Sequence, residues 1–179
     1  MSFPGIPSLD AAVMAFIQTH FHNTVTDTVF PIITSLGEAG IGWIVLSLVL
    51  LCFKKTRRTG GLVLIAMTVT LLFGELTLKN IICRLRPCNV FTDFPMLIAR
   101  PTSYSFPSGH TSSSFAAALI LTLRHKRIGW LAYIPAVLIA FSRIFLFVHY
   151  PTDVLAGILL GTLAALLTYF AAKAIQKRQ

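Results

Sequence analysis

The residues able to do chemistry gather in three short stretches of this 179-residue chain. The richest is Ser142-Arg143-Ile-Phe-Leu-Phe-Val-His149-Tyr-Pro-Thr-Asp153, set between two apolar runs. Charged side chains at the edge of hydrocarbon are costly and call for a reason. His149 and Asp153 are four residues apart, so a helical or near-helical turn brings the carboxylate up to the imidazole. A carboxylate placed there fixes the ring tautomer and stabilises its cation. The other ring nitrogen is left to act as a nucleophile or base. The competing reading is an interfacial arginine and histidine reaching for water, and this stretch alone does not decide between them.

The second stretch is Lys79-Asn-Ile-Ile-Cys-Arg84-Leu-Arg86-Pro87. Lys79 and Arg86 are seven apart, which on a helix places them on one face, two turns or about 10 Å apart. Two cations on one face suit a phosphate; they also suit anchoring to lipid headgroups. Arg84 falls on another face of that helix and reads as an anchor. Glu75, one turn before Lys79, reads as its ion-pair partner rather than a catalytic carboxylate. The third stretch, Pro107-Ser108-Gly109-His110, opens an apolar run. Ser108 is a good N-cap, Gly109 lets a ligand approach the backbone, and free amides at a helix start bind anions. His110 adds a titratable group; alone it is an ordinary interfacial histidine. Together the stretches supply two histidines, one orienting carboxylate, three cations and an amide-rich helix start. That inventory suits phosphoryl transfer, where positioning and charge stabilisation dominate. It lacks the clustered carboxylates a magnesium site requires, and the cations oppose a zinc site built on His110, His149 and Asp153.

With these residues in view, the sequence resembles the type 2 phosphatidic acid phosphatase superfamily, which includes vanadium haloperoxidases and bacterial acid phosphatases. The motifs of that family, Lys-x6-Arg-Pro, Pro-Ser-Gly-His and Ser-Arg-x5-His-x3-Asp, stand here in order between Lys79 and Asp153. The resemblance implies that His149 attacks phosphorus and forms a phosphohistidine, and that Asp153 orients it. It implies that His110 protonates the leaving oxygen and then helps activate water. Lys79, Arg86, Ser108, the Gly109 amide and Arg143 would bind the phosphoryl oxygens. It implies no metal and no other cofactor.

The elements that must position these residues are apolar. The chain is 55% hydrophobic and 12% charged, about half the charge of a soluble domain. Its net charge of +9 sits in short clusters beside apolar runs, which is a topology signal and argues against a nucleic-acid partner. The expectation is an all-α polytopic transmembrane bundle in a single domain spanning residues 1–179. Residues 1–36 form interfacial helices and 37–179 the catalytic bundle. Five spans are expected near residues 40–53, 61–82, 109–123, 129–148 and 154–172, the first extending back through Gly37, with room for a sixth in 9–36. An amphipathic helix from Leu9 to Phe21, apolar at Ala12, Val13, Phe16 and Ile17, lies on the membrane surface. The basic clusters at 54–58, 124–127 and the C-terminus lie on the cytoplasmic side, which puts the three chemical stretches on the extracytoplasmic face of the cell (inner) membrane. Cys83 and Cys88 read as free thiols, with a bridge between them as the alternative if their segment faces an oxidising compartment. The expected partners are the bilayer and a lipid phosphate or diphosphate. Undecaprenyl pyrophosphate is the leading substrate, with phosphatidylglycerophosphate or phosphatidic acid as alternatives. A non-enzymatic transporter is the competing class, and a vanadate-dependent oxidase is disfavoured without a large soluble domain. The apolar side chains of loop 88–105 are expected to help select the lipid.

Overall fold

A computed structural model describes residues 3–177. Among them the regular structure is entirely helical: α1 (Ser8–His20), α2 (Thr24–Leu36), α3 (Ile41–Cys52), α4 (Arg57–Thr70), α5 (Lys79–Ile82), α6 (Pro87–Val90), α7 (Gly109–Arg124), α8 (Tyr133–Phe145) and α9 (Pro151–Gln176). A π-helical segment, Leu71–Leu78, joins α4 to α5. Two helical stretches, Arg57–Val90 and Pro151–Gln176, are long and apolar enough to cross a membrane. A third candidate is the pair Thr24–Leu36 and Glu38–Cys52, bent by 45°. The expected first span, 40–53, falls in the second helix of this pair. The break falls where Ala39 (φ 47°) and Gly40 (φ 70°) both turn left-handed, which interrupts an α-helix. Leu48, Leu72, Leu159 and Phe170 are among the many large apolar side chains left on the outside, as expected of a surface that faces lipid tails.

α7 is the central element and packs on α4, α8 and α9. Its Ala116, Ala117, Ala118 and Ile120 are wholly buried, so it is covered nearly all round. Its closest partner is α9, where Gly157 and Gly161 face it. A Cβ on Gly157 would lie 2.7 Å from Ser108 O, and one on Gly161 2.3 Å from Ser112 O. This small-xxx-small contact lets the two backbones touch.

α1 is packed into the protein through Asp10, Met14, Ile17 and Gln18. Of the apolar residues expected to face the membrane surface, Ile17 is instead buried in the protein, while Ala12 and Phe16 are exposed. Gln18 Nε2 donates to Phe145 O at 3.0 Å, satisfying a carbonyl left free where α8 ends. The basic turns meet at one end of the bundle, where Thr59 Oγ1 and His125 Nε2 are 3.0 Å apart. α4, α7, α8 and α9 each run between that end and the opposite one, where the three chemical stretches meet.

Candidate active site

The turn after α8 folds His149 back onto Arg143. Phe147 is left-handed (φ 59°), and the N–H groups of Val148 and His149 both donate to Arg143 O at 3.2 Å. α9 then starts with Pro151 at its first position, where a missing N–H costs nothing. Asp153 lies one turn on and accepts from Tyr150 N at 2.9 Å. Its Oδ2 stands 3.4 Å from His149 Nδ1, so the proximity expected from the four-residue spacing is present, with His149 itself in the turn before the helix. Both side chains are buried.

Lys79 and Arg86 reach the same place by a route the spacing did not foresee. The helix stops at Ile82, because Cys83 is left-handed (φ 50°), and Arg86 sits in extended backbone before Pro87. A helical wheel drawn through Lys79–Arg86 therefore does not apply, and Arg84 is not a surface anchor. It is 24% exposed and donates to two buried carboxylates, Asp10 and Asp153, each at 2.7 Å. Arg86 donates through Nε to Ser103 O (2.7 Å), through Nη2 to Ser103 Oγ (3.0 Å) and through Nη1 to Val148 O (2.9 Å). Nη1 is also 2.9 Å from His149 Nε2. Lys79 holds Glu75 at 2.6 Å, the expected i,i+4 pair. The Glu75 carboxylate rests against Gly109, 2.1 Å from where a Cβ would stand. An anionic group thus already lies between Lys79 and the start of α7.

Lys79, Arg86, Gly109, His110, Arg143 and His149 line one cavity of ≈ 1040 Å³, which continues past Pro31, Ile44, Leu64, Met67 and Leu71. Asp153 and Ser108 lie behind its wall. Ser108 precedes α7 as expected, but its hydroxyl accepts from Thr111 Oγ1 (3.0 Å) and makes no capping bond. Arg143 Nη1 donates to Thr34 Oγ1. The Nε of Arg143 is buried with no hydrogen-bond partner among the described residues, a donor left open for an acceptor. His149 titrates well below the ordinary histidine range, first because it is buried and then because Arg86, Arg143 and Lys79 stand near. Among the described residues no three His, Cys, Asp or Glu side chains gather as metal ligands. Cys83 and Cys88 are free, the first exposed and the second buried.

Four polar side chains join this site without a signal in the motifs. Ser105 Oγ donates to Asp153 Oδ2, Ser103 holds Arg86, Thr34 holds Arg143, and Asp10 holds Arg84. Ser105 lies two residues before Pro107, close enough to have been considered. Thr34 and Asp10 sit in helices whose polar residues gave no hint of distant partners.

A family model described as PAP2 superfamily matches residues 59–177. The chain belongs to the PAP2 superfamily. It is a membrane phosphatase, a hydrolase of phosphoester bonds. The chain is 39% identical over 121 residues to an undecaprenyl-diphosphatase of Sulfolobus acidocaldarius, covering 67% of this chain and 58% of that relative. It is 31% identical over 157 residues to undecaprenyl-diphosphatase BcrC of Bacillus subtilis, covering 83% of this chain and 76% of that one. Among solved structures, Aquifex aeolicus LpxE superposes with a TM-score of 0.80 at 25% identity, over 94% of this chain and 99% of that chain. A PAP2 type phosphatidylglycerolphosphate phosphatase from Bacillus subtilis gives 0.76 at 29% identity, over 97% and 89%.

Proposed function

We propose that this PAP2 phosphatase hydrolyses the diphosphate of a polyprenyl lipid, converting undecaprenyl pyrophosphate to undecaprenyl phosphate, through a phosphohistidine on His149. The observation that carries this reading is the mixed wall of the cavity. Lys79, Arg86, Arg143 and His149 line it together with Ile44, Leu64, Met67 and Leu71. A charged head and an apolar chain fit such a wall together. The relatives named undecaprenyl-diphosphatase support the diphosphate. The similarity to the phosphatidylglycerolphosphate phosphatase structure favours a second reading, a lipid phosphate monoester, at the same site.

In this mechanism His149 Nε2 attacks the terminal phosphorus, and the bond from phosphorus to the leaving oxygen breaks. His110 gives that oxygen a proton. Asp153 holds the Nδ1–H and stabilises the charge that forms on the ring. Water then attacks the phosphohistidine, His110 takes its proton, and inorganic phosphate leaves. Lys79, Arg86, Arg143 and the Gly109 amide hold the phosphoryl oxygens as charge develops, while Ser108, behind the cavity wall, supports the start of α7 instead of binding phosphate as the motif implied. No step is assigned to a metal.

The reading places the protein in the cell membrane with five spans: α2 with α3, then α4 through α5, α7, α8 and α9. The site lies on the extracytoplasmic face, and α1 lies at that surface. Support comes from the basic turns, which sit at the end of the bundle opposite the site. The test is phosphate release from a panel of lipid mono- and diphosphates, with and without chelator. Release from undecaprenyl pyrophosphate that survives chelation is the expected result. Preference for phosphatidylglycerophosphate selects the second reading, and strict dependence on a divalent metal rejects the mechanism.

A further inference from the structure

Helix α1 carries a wholly buried carboxylate that the mechanism leaves unused. Asp10 Oδ1 accepts from Thr152 N at 2.9 Å, and Oδ2 accepts from Thr152 Oγ1 and Arg84 Nη2, each at 2.7 Å. Arg84 Nη1 donates to Asp153 Oδ1 at 2.7 Å, and the guanidinium lies 3.8 Å over the Tyr150 ring. The other oxygen of Asp153 faces His149. One guanidinium therefore separates two buried carboxylates, with one nitrogen on each. Only arginine offers such a rigid, planar fork.

The arrangement has consequences for both position and charge. A buried carboxylate left without a partner is strongly disfavoured. Without Arg84, the Asp10 and Asp153 carboxylates would face each other across Thr152 with no cation between them, and Asp153 would lose the donor that fixes its Oδ1. Without Asp10, the whole charge of Arg84 falls on Asp153 and competes with His149 for it. Asp10 also binds the second amide of α9 and so fixes the turn on which Asp153 stands.

We infer that Asp10 and Arg84 are positioning residues for the phosphatase reaction, through which α1 sets the orientation and charge of Asp153 and thereby of His149. The inference rests on the reading of His149 as nucleophile and Asp153 as its orienting carboxylate.

The test uses the full-length protein in one detergent, with phosphate release from farnesyl diphosphate and from phosphatidic acid as the assay. Asp10→Asn keeps the shape and the bond from Thr152 N but sets an amide against Arg84. Arg84→Lys keeps the charge and loses the fork. Each is expected to lower kcat by about 10–100-fold, the cost seen when a ligating residue at a metal centre loses the partner that orients it, carried over here to a histidine–carboxylate pair. KM and the inhibition constant of inorganic phosphate stay unchanged, because the phosphoryl-binding cations are untouched. In an Asp153→Asn background, Asp10→Asn adds no comparable loss, since it acts through that residue. Wild-type kcat in folded Asp10→Asn and Arg84→Lys overturns the inference. So does an equal loss from Asp10→Asn in both backgrounds. If Asp10→Asn does not fold, Arg84→Lys alone and with Asp153→Asn decides by the same criteria. His149→Ala is run beside them: if it keeps activity the underlying reading fails, and if it is inactive while the α1 variants are normal only this inference fails.

Discussion

Arg86 Nη1 lies 2.9 Å from His149 Nε2. A guanidinium only donates, so Nε2 holds the lone pair and the ring N–H sits on Nδ1, facing Asp153. Burial and the neighbouring cations favour that neutral ring. Arg86 thus contacts the nitrogen that the proposed mechanism makes the nucleophile, while Ser103 holds the rest of the guanidinium. An arriving phosphoryl group takes over Nη1 and meets Nε2 directly. The phosphoenzyme trapped by acid-free quenching during turnover is therefore expected to carry phosphorus on Nε2 of His149. Phosphorus NMR of the digested peptide distinguishes the two nitrogens; an Nδ1 adduct, or label retained in His149→Ala, contradicts the assignment.

Asp153 and His110 separate orientation from proton transfer. Asp153→Asn keeps the size of the side chain but loses its charge and its acceptor on one side, so His149 remains and is badly oriented. Residual activity well below wild type is expected, with a larger loss in kcat than in KM. His110→Ala removes the proton donor for the leaving oxygen, a loss of typically about 10²–10⁴-fold. A substrate with a good leaving group, such as a nitrophenyl phosphate, should recover much of the His110→Ala loss and little of the Asp153→Asn loss. Equal recovery in both would remove the distinction.

Arg143 is buried, held at one nitrogen by Thr34, and open at Nε. That geometry offers a phosphoryl oxygen a directed donor that lysine cannot reproduce. Arg143→Lys should weaken inhibition by inorganic phosphate by about tenfold or more, the worth of one charged hydrogen bond. Thr34→Val should show the same defect in weaker form, because it frees the guanidinium without removing it. Titration with phosphate measures both, and unchanged affinity in Arg143→Lys counts against a binding role.

The residues that line the cavity were more legible in the sequence than the scaffold that holds them. The His149–Asp153 pair was readable because a four-residue spacing works in any near-helical turn. Lys79 and Arg86 meet in one cavity, but not along one helix face, since Cys83 ends the helix between them. Arg84 was misplaced by the same extrapolation. The contributions of Asp10, Gln18 and Thr34 had no local signature. Their partners lie more than a hundred residues away, except Arg84, and a buried polar face on α1 looks like a solvated one until the partners are known. The break at Ala39–Gly40 hid the continuity of α2 with α3, because alanine gives no warning of a left-handed turn.

The proposed orientation in the membrane rests on the basic turns and can be read with single cysteines. Asp93→Cys, on the exposed part of loop 88–105, and Lys126→Cys, in the exposed turn after α7, are placed in a background with Cys52, Cys83 and Cys88 replaced. A membrane-impermeant thiol reagent added to intact cells should label position 93 and spare 126. Permeabilised cells should label both. The reverse pattern in intact cells inverts the topology and puts the site on the cytoplasmic face.

The contact between α7 and α9 gives the last prediction, which links packing to rate. Ser108 and His110 open α7, Asp153 opens α9, and the two helices touch through Gly157 and Gly161. A Cβ at Gly161 would stand 2.3 Å from Ser112 O and 3.0 Å from Ala116 N. Both are backbone atoms of a buried helix, so neither yields by a rotamer change, and α7 must move away from α9. Overpacking of this kind costs typically about 1–3 kcal/mol. A shift of about 1 Å between reacting groups can cost about 10²-fold in rate. Gly161→Ala is therefore expected to lower both the unfolding temperature and kcat. Gly61→Ala is the control: it too sits inside a helix, but its added Cβ meets nothing within 4 Å. There alanine should stabilise the helix by up to about 1 kcal/mol and leave the rate alone. Thermal unfolding and steady-state rates on the two variants settle it, and a Gly161→Ala protein as stable and as fast as Gly61→Ala would show that the close contact does not position the site.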